Sequence, residues 1–303
     1  MDDTIHRSPH PNPPSQAGDG AIGAPPLNTP PPQAGEGSAR QRAGGGFAAS
    51  RIAHGGKALY GARVGILMLE ARFPRIPGDM GNALTWPFPV LYRVVPGASP
   101  RRVVYDKAQG LLPDFLEAAE ELVRLGADGI TTTCGFLSLF QRDIAAHVGV
   151  PVATSSLMQI PFIERILPPG KRVGVLTISA ASLTPEHLIS AGADPATPVV
   201  GTDPEGEFTS VMLDNRERLD AAAAERDILD AGDALIAQQP DTGAVLLECT
   251  NMVPYARALS ARLRRPVFSI YSFVIWFHAG LVPRDFGPPG SGDGNSLGEW
   301  RER

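Results

Sequence analysis

The sequence predicts an α/β protein made of two pseudo-symmetric Rossmann-like lobes with parallel sheets and an active site in the cleft between them. Three observations lead to this fold class. Two segments of the chain resemble each other, apolar runs alternate with helical patterns, and Gly- and Pro-rich ends flank a core. That core has roughly 220 residues, a length that suits two small lobes.

The similarity between the two halves is the most informative feature. Arg63–Leu69 returns 109 residues later as Arg172–Ile178, and Gly129–Cys134 parallels Gly243–Cys249 with the cysteines 115 residues apart. A six-residue insertion between the matched segments accounts for the change in spacing. The chain therefore reads as a duplicated unit of about 110 residues.

Both ends of the chain differ from this core. The N-terminal segment contains runs such as Pro30–Pro32 and Gly44–Gly46, and the C-terminal segment repeats this character. Such segments bury too little apolar surface to offset the entropy of ordering them, so we expect disorder. Two interpretations of the N-terminal tail stay open: it is a flexible linker, or the start site of the sequence is wrongly assigned. The predicted order is a tail at 1–60, a first repeat at 61–170, a second repeat at 171–283 and a tail at 284–303. Exchange of the last helix of the first repeat with the other lobe stays open.

Within each repeat, strands alternate with helices. The repeated apolar runs are rich in β-branched residues, which is typical of buried parallel strands. Leu111–Val123 has the apolar spacing of a core-facing helix, and its counterpart is predicted from about Asn215 to Gln239. Further helical runs follow the cysteines, at 136–147 and about 253–263. This order indicates parallel sheets with right-handed crossovers.

Composition and charge exclude several partners. The net charge is −5 without a basic stripe, so we expect no nucleic acid partner. The longest apolar stretch, Val267–Phe277, is shorter than the roughly 18 to 20 residues that span a bilayer, so we expect no membrane partner. The N-terminus lacks an apolar signal-peptide core, which favours a cytoplasmic location and free thiols. A homodimer is compatible with these features.

The motifs of common cofactors are missing from the sequence. No Gly-x-Gly-x-x-Gly segment follows a predicted strand, and Pro169–Arg172 lacks the pattern of a phosphate-binding loop. The six histidines are scattered, with no Cys-x-x-Cys or His-x-x-x-His pair. We therefore expect neither a cofactor nor a metal.

The two cysteines are the candidate catalytic residues. Cys134 and Cys249 each end a predicted strand, where ligands bind in open α/β sheets. Two facing thiols can remove a proton from one side of a carbon and deliver one to the other, and a nearby helix N-terminus is expected to lower the thiol pKa. The backbone N–H groups of Gly135, Phe136, Thr250 and Asn251 are expected to bind a carboxylate or enolate oxygen.

The strand-Cys-helix pair, with Cys249-Thr250-Asn251 at the second position, resembles the aspartate/glutamate racemase superfamily over roughly residues 62–281. That group includes hydantoin racemase, arylmalonate decarboxylase and maleate isomerase. The resemblance implies an isomerase, namely a cofactor-independent racemase or epimerase acting next to a carbonyl. Two alternatives stay open: a cis-trans isomerase or decarboxylase that uses one cysteine, and a noncatalytic protein that binds small acids.

The departures from the superfamily concern the substrate. Amino-acid racemases of this group commonly have Cys-Asn-Thr where this chain has Cys134-Gly135-Phe136. We therefore expect Phe136 to form an apolar wall and the substrate to be a small carboxylate or cyclic amide other than free glutamate or aspartate. Gly78–Asn82 resembles a loop of the family, which makes Asp79 and Asn82 candidates, with a solvated turn as an equal alternative.

Four further polar residues lie near the predicted strand ends. Strand alternation predicts that Glu248 points away from Cys249, is hydrogen-bonded near the strand end and does not touch the substrate. Thr133 could line the cleft beside Cys134. Thr177 and Ser179 end the strand of the second repeat and could bind a substrate oxygen.

Overall fold

The computed structural model describes residues 55–285, which lie within a single unit, His54–Arg303. The first lobe contains four strands: β1 Val64–Leu69, β2 Val90–Val95, β3 Gly129–Thr132 and β4 Val152–Ala153. The second contains four more: β5 Arg172–Thr177, β6 Val199–Gly201, β7 Thr242–Leu247 and β8 Val267–Phe268. All pairings are parallel, and the strand orders β2-β1-β3-β4 and β6-β5-β7-β8 are equivalent. The predicted fold class and the duplication are confirmed.

Nine α-helices flank these sheets in the described part of the chain. The first lobe has α1 Pro100–Tyr105, α2 Leu112–Leu125, α3 Gln141–Val148 and α4 Ile160–Ile166. The second has α5 Pro185–Ser190, α6 Glu207–Leu213, α7 Ala221–Gln238, α8 Ala256–Leu263 and α9 Ile270–Leu281. None of the helices within residues 55–285 is both long enough and apolar enough to cross a membrane.

Helix α7 begins later than the apolar pattern indicates. The predicted start near Asn215 is wrong, because Asn215 has a left-handed backbone with φ of 58°. The Asp220 carboxylate accepts the N–H groups of Ala222 and Ala223 and so caps the first turn of α7. Residues 214–220 therefore separate α6 from α7.

The two lobes exchange helices. The apolar side chains of α9, from the second repeat, form a core cluster with Val64 and Ile66 of β1. Phe277 of α9 packs so closely on β3 that a Cβ atom at Gly129 would lie 2.6 Å from its ring. In return, α4 of the first repeat packs against β5. Each sheet is thus completed by a helix from the other repeat.

Only the inner ends of the predicted tails are described. Most of these segments, residues 1–54 and 286–303, lie outside the described residues. Residues 55–60 are described and contact the first lobe: the Leu59 N–H donates to the Leu125 carbonyl at 2.9 Å, and Lys57 pairs with Asp128. These contacts tie the chain just before β1 to the end of α2.

Candidate active site

A small cavity of about 20 Å³ lies where the two lobes meet, and both cysteines line it. In each sheet the first strand lies between the second and the third, so the strand order reverses between β1 and β3, and again between β5 and β7. Such reversal points open a crevice at the carboxyl edge of the sheet. Cys134 follows β3 and Cys249 follows β7, which places both thiols at these crevices.

Each cysteine begins the same local structure. Cys134 is the N-cap of a 3₁₀ segment, Gly135–Phe140, which leads into α3. Cys249 is the N-cap of a second one, Thr250–Tyr255, which leads into α8. The predicted α-helical runs thus begin with 3₁₀ turns. The two thiols form no disulfide bond and are 9% and 8% exposed.

The two cysteine loops pack against each other across the cavity. The hydroxyl of Thr250, which follows Cys249, donates to the carbonyl of Thr133, which precedes Cys134, at 2.7 Å. In the other half, Gly135 lies against Glu248, and a Cβ atom at Gly135 would be 2.6 Å from the Glu248 carbonyl oxygen. Thr250, which follows Cys249, therefore contacts Thr133, and Gly135, which follows Cys134, contacts Glu248.

Glu248 lines the cavity, which corrects the expectation that it points away from the substrate side. Strand β7 ends at Leu247, so the alternation of side chains no longer applies at Glu248. The Thr177 hydroxyl donates to Oε2 at 2.6 Å, whereas Oε1 is buried without a hydrogen-bond partner. Burial raises the pKa of Glu248 to about 7, although the Thr177 hydrogen bond opposes the shift. The predicted hydrogen bonding near the strand end is confirmed.

The expectation of a lowered thiol pKa is wrong for both cysteines. The backbone N–H groups of Phe136 and Leu137 lower the pKa of Cys134, and that of Asn251 lowers the pKa of Cys249, as N–H groups at helix starts are expected to do. Burial raises the pKa of both thiols, the negative charge of Glu248 raises it further, and the N–H groups do not compensate. Both thiols are therefore neutral near pH 7.

A hydrogen-bonded chain of four residues ends at Cys249. The thiol donates to Asn251 Oδ1, the Asn251 amide donates to Asp79, and Arg75 donates to Asp79 at 2.8 Å. Because a carboxylate only accepts hydrogen bonds, Asp79 fixes the amide nitrogen of Asn251 on its own side and the carbonyl oxygen on the side of Cys249. Asp79 is buried, so the alternative of a solvated turn is wrong for this residue.

The walls of the cavity are mainly apolar. Phe136 lines it as predicted, and Thr133, Thr250 and Asn251 do so as well. Sequence reasoning missed Arg75, a charged lining residue that lies in the insertion after β1. The remaining apolar lining residues are Leu69, Phe73, Pro100, Val104, Ile178, Met212 and Leu213.

The other candidate residues are placed elsewhere. Asn82 caps the turn Ala83–Thr85 and donates to the Arg75 carbonyl, and Ser179 donates to Ser182, so neither side chain lines the cavity. Thr177 is fully buried and bonds Glu248 in place of a substrate. Gly135 contributes close packing, while the Phe136 N–H that was expected to bind the substrate acts to lower the pKa of Cys134.

The site offers thiol, carboxylate and guanidinium chemistry. Within residues 55–285 no group of three or more His, Cys, Asp or Glu side chains is arranged to hold a metal ion. The charged lining residues are Arg75 and Glu248. A cavity of this kind can bind a small carboxylate and move a proton at the adjacent carbon.

Solved structures confirm the fold. Arylmalonate decarboxylase aligns over 75% of this chain and 96% of its own, with a TM-score of 0.50 and 18% identity. A sulfate-associated variant of that enzyme covers 76% of this chain and 98% of its own, with a TM-score of 0.51 and 16% identity. Arylmalonate decarboxylase is a member of the superfamily that the sequence resembles, so the expected fold is confirmed.

Closer relatives are found among curated enzymes, although no family model matches the chain. A dimethylsulfoniopropionate lyase of Durusdinium sp. clade D is 28% identical over 229 residues, 73% of this chain and 75% of that enzyme. Lyase 3 of Emiliania huxleyi is 30% identical over 221 residues, 68% of this chain and 56% of that enzyme. Lyase 7 of the same species is 31% identical over 235 residues, 72% of this chain and 67% of that enzyme. The chain belongs to the family of the dimethylsulfoniopropionate lyases.

Proposed function

We propose that this protein is a lyase that releases dimethyl sulfide from dimethylsulfoniopropionate or a closely similar β-sulfonio carboxylate. The observation that carries the proposal is the 31% identity to a curated lyase over 72% of the chain. The cavity between the lobes adds support, since it combines two thiols with a guanidinium and apolar walls.

The elimination needs one base. A thiolate removes a proton from the carbon next to the carboxylate, the C–H electron pair forms a C=C bond, and the C–S bond breaks. Dimethyl sulfide leaves as a neutral molecule with the C–S electron pair, acrylate remains, and the thiolate becomes a thiol. No proton has to be delivered to the leaving group, so the second thiol is not required as an acid.

The contacts of the two thiols favour Cys134 as the base. The backbone N–H groups of Phe136 and Leu137 both act to lower the pKa of Cys134, which favours a thiolate. At Cys249 one N–H group, that of Asn251, acts in this way, while the thiol donates to Asn251 Oδ1, which stabilises the thiol form. Asp79 prevents the Asn251 amide from turning round, so Cys249 is held as a hydrogen-bond donor.

Arg75 and the aromatic walls suit the two ends of the substrate. The guanidinium has five N–H donors, and the bond to Asp79 leaves others for a carboxylate. A sulfonium cation with two methyl groups fits apolar and aromatic side chains such as Phe136, because aromatic faces attract cations.

A racemase or epimerase of a small carboxylic acid or cyclic amide is the second candidate. It is favoured by the presence of both thiols on one cavity, because racemisation needs a base on one side of a carbon and an acid on the other. The two candidates make different demands on Cys249.

Single Cys→Ser substitutions distinguish them. Release of dimethyl sulfide from dimethylsulfoniopropionate is measured by gas chromatography for the wild type, Cys134→Ser and Cys249→Ser. We expect Cys134→Ser to lose at least about 100-fold in kcat, because a hydroxyl is a far weaker base, while Cys249→Ser stays within about tenfold.

The reverse ranking of the two variants would show that Cys249 is the base. A wild-type protein that releases no dimethyl sulfide but exchanges solvent deuterium into chiral acids or hydantoins would support the racemase. In that case both substitutions should abolish racemisation.

A further inference from the structure

Asp79 lies at the start of the hydrogen-bonded chain that reaches Cys249. Its Oδ1 atom accepts the Arg75 guanidinium at 2.8 Å and the Gly81 N–H at 2.7 Å. Its Oδ2 atom accepts the Asn251 amide, and Oδ1 of Asn251 accepts the Cys249 thiol at 3.6 Å. The carboxylate is buried, so these contacts satisfy it in place of solvent.

Each hydrogen bond in this chain has a fixed direction. A guanidinium and a backbone N–H group can only donate, so an oxygen atom must stand at the Oδ1 position of residue 79. The second carboxylate oxygen is also an acceptor, so the Asn251 amide turns its NH₂ group toward Asp79 and its oxygen toward Cys249. The direction of the last bond, at the sulfur, is therefore set at Asp79.

The pseudo-symmetry of the lobes shows that the first cysteine has no equivalent of this contact. The residue 115 positions before Asn251 is Phe136, which follows Cys134 as Asn251 follows Cys249. A phenyl ring has neither the carbonyl oxygen nor the NH₂ group of an asparagine. The side chain that holds one thiol as a donor is thus replaced beside the other thiol by an apolar ring.

We propose that Asp79 is a positioning residue that selects the base of the reaction, because it holds Cys249 as a thiol through Asn251 and leaves Cys134 as the single base. The inference rests on the proposed lyase function, in which one base suffices. It assigns the choice between the two thiols to a residue that acts through another side chain. Without this hold the cavity would have two competent bases.

The ionisable groups around Cys249 act in the same direction as the hydrogen bond. Burial raises the pKa of Cys249, and the negative charges of Glu248 and Asp79 raise it further, as an ionised Cys134 does. The positive group on the cavity wall, Arg75, is paired with Asp79. A test of the proposal must therefore separate the hydrogen bonds of Asp79 from its charge.

The substitution Asp79→Asn keeps the shape of the side chain and should reverse the chain. The new amide keeps its oxygen at the Oδ1 position, because Arg75 and the Gly81 N–H still donate there. Its NH₂ group then faces the NH₂ group of Asn251, and since two donors cannot bond each other, the Asn251 amide turns round. The NH₂ group of Asn251 now donates to the Cys249 sulfur, which stabilises the thiolate and lowers the pKa of Cys249.

The experiment measures the rate of iodoacetamide alkylation at both cysteines by peptide mass spectrometry as a function of pH. For Asp79→Asn we expect the onset of alkylation at Cys249 to move down by about 1 pH unit or more. The onset at Cys134, which serves as the control within the same molecule, should stay within about 0.5 pH unit of the wild type. An onset at Cys249 that is unchanged or moves up overturns the proposal, and so do equal shifts at both cysteines, which would show a general loosening of the site.

The same substitution in an Asn251→Ala background separates the hydrogen bond from the charge. Without the amide, Asp79→Asn can act on Cys249 only through the lost charge, so we expect about half the shift or less that it causes when Asn251 is present. An equal shift in both backgrounds would show that Asp79 acts through its charge alone, and the proposal would fail.

The single variant Asn251→Ala keeps the test decisive if Asp79→Asn does not fold. It leaves the ion pair of Arg75 and Asp79 in place and removes the acceptor of the Cys249 thiol. The onset at Cys249 should move down, because a hydrogen bond to the neutral form is lost. An onset at or above that of the wild type would contradict the proposal.

A gain of activity tests the consequence for the reaction. Cys134→Ser lacks the proposed base, and adding Asp79→Asn to it should raise kcat for dimethyl sulfide release at least about fivefold, because Cys249 becomes able to act as a base. A further loss of activity would show a merely structural role of Asp79 and would overturn the proposal. If alkylation behaves as expected but the wild type releases no dimethyl sulfide, the assigned reaction fails while the hold of Asp79 on Cys249 stands.

Discussion

At the scale of single residues, Gly135 shows how a missing side chain shapes the site. Its backbone has no positive φ, so the glycine is required by space and not by conformation. The Glu248 carboxylate and carbonyl occupy the volume in which a Cβ atom would stand. Amino-acid racemases of the superfamily commonly have asparagine at this position. The glycine in this chain leaves room for the Glu248 carboxylate.

We expect Gly135→Ala to displace Glu248 or the loop that begins at Cys134, because a Cβ atom would overlap the Glu248 side chain. Overpacking of this kind costs about 1 to 3 kcal/mol of unfolding free energy, and kcat should fall more than tenfold because the proposed base shifts with its loop. Gly280→Ala is the matched control, because nothing lies within 4 Å of a Cβ atom there. Urea unfolding and dimethyl sulfide release measure the two effects; equal behaviour of the two variants would contradict this explanation.

The sequence predicted the two cysteines but not their environment. Cys134 and Cys249 could be found because a repeat places them at equivalent strand ends. The direction of Glu248 could not, since alternation holds only inside a strand and β7 ends one residue earlier. Arg75 was missed because it lies in an insertion without a counterpart in the repeat, and the raised thiol pKa values depend on burial that no local pattern reports.

At the scale of elements, helix α9 shows how an exchanged helix completes a sheet. Phe277 lies on the inner face of α9 against Gly129 of β3, while its neighbour Trp276 is 69% exposed. Removing the Phe277 ring should leave a cavity between α9 and the sheet, whereas removing the Trp276 ring should not.

We expect Phe277→Ala to lower the free energy of unfolding by about 3 to 5 kcal/mol. Trp276→Ala, one position earlier on the same helix, should change it by about 0.5 kcal/mol or less. Denaturant melts followed by circular dichroism measure both. Similar losses for the two variants would show that α9 does not pack by this face.

Strands were easier to predict than helix boundaries. The buried runs at Arg63–Leu69 and Arg172–Ile178 correspond to β1 and β5 within one residue at each end, because continuous apolar runs leave few alternatives. The start of α7 was predicted six residues early, since apolar spacing does not reveal the left-handed Asn215 or the Asp220 cap. Which sheet a helix covers depends on contacts between residues far apart in sequence. The sequence therefore leaves open whether the two repeats exchange helices.

At the scale of the whole molecule, the exchange makes the two repeats dependent on each other. The first repeat without α9 exposes the apolar face of β1, and the second without α4 exposes part of β5. Hydrogen bonds between the two repeats, such as that from Ser156 to the Leu247 carbonyl at 2.7 Å, add to this dependence.

We therefore expect neither 55–170 nor 171–285 to fold when it is expressed alone. Each fragment should lack near-ultraviolet circular dichroism and bind an apolar dye, and a mixture of both should regain the native spectrum. The uncut segment 55–285 serves as the control. A cooperative thermal transition in either fragment would show that a lobe is stable without its exchanged helix.

The replacement of a hydroxyl by a carboxylate between equivalent positions, Thr133 and Glu248, has a stereochemical consequence. A cavity with two equivalent sides treats the two mirror-image forms of a substrate alike, which suits their interconversion. Here the two sides differ, since a carboxylate precedes one cysteine and a hydroxyl the other, and only the Cys249 thiol donates to an asparagine, Asn251. The two hydrogens of a methylene group, identical in solution, become distinguishable in such a cavity, and we expect only the prochiral hydrogen that faces the proposed base, Cys134, to be removed.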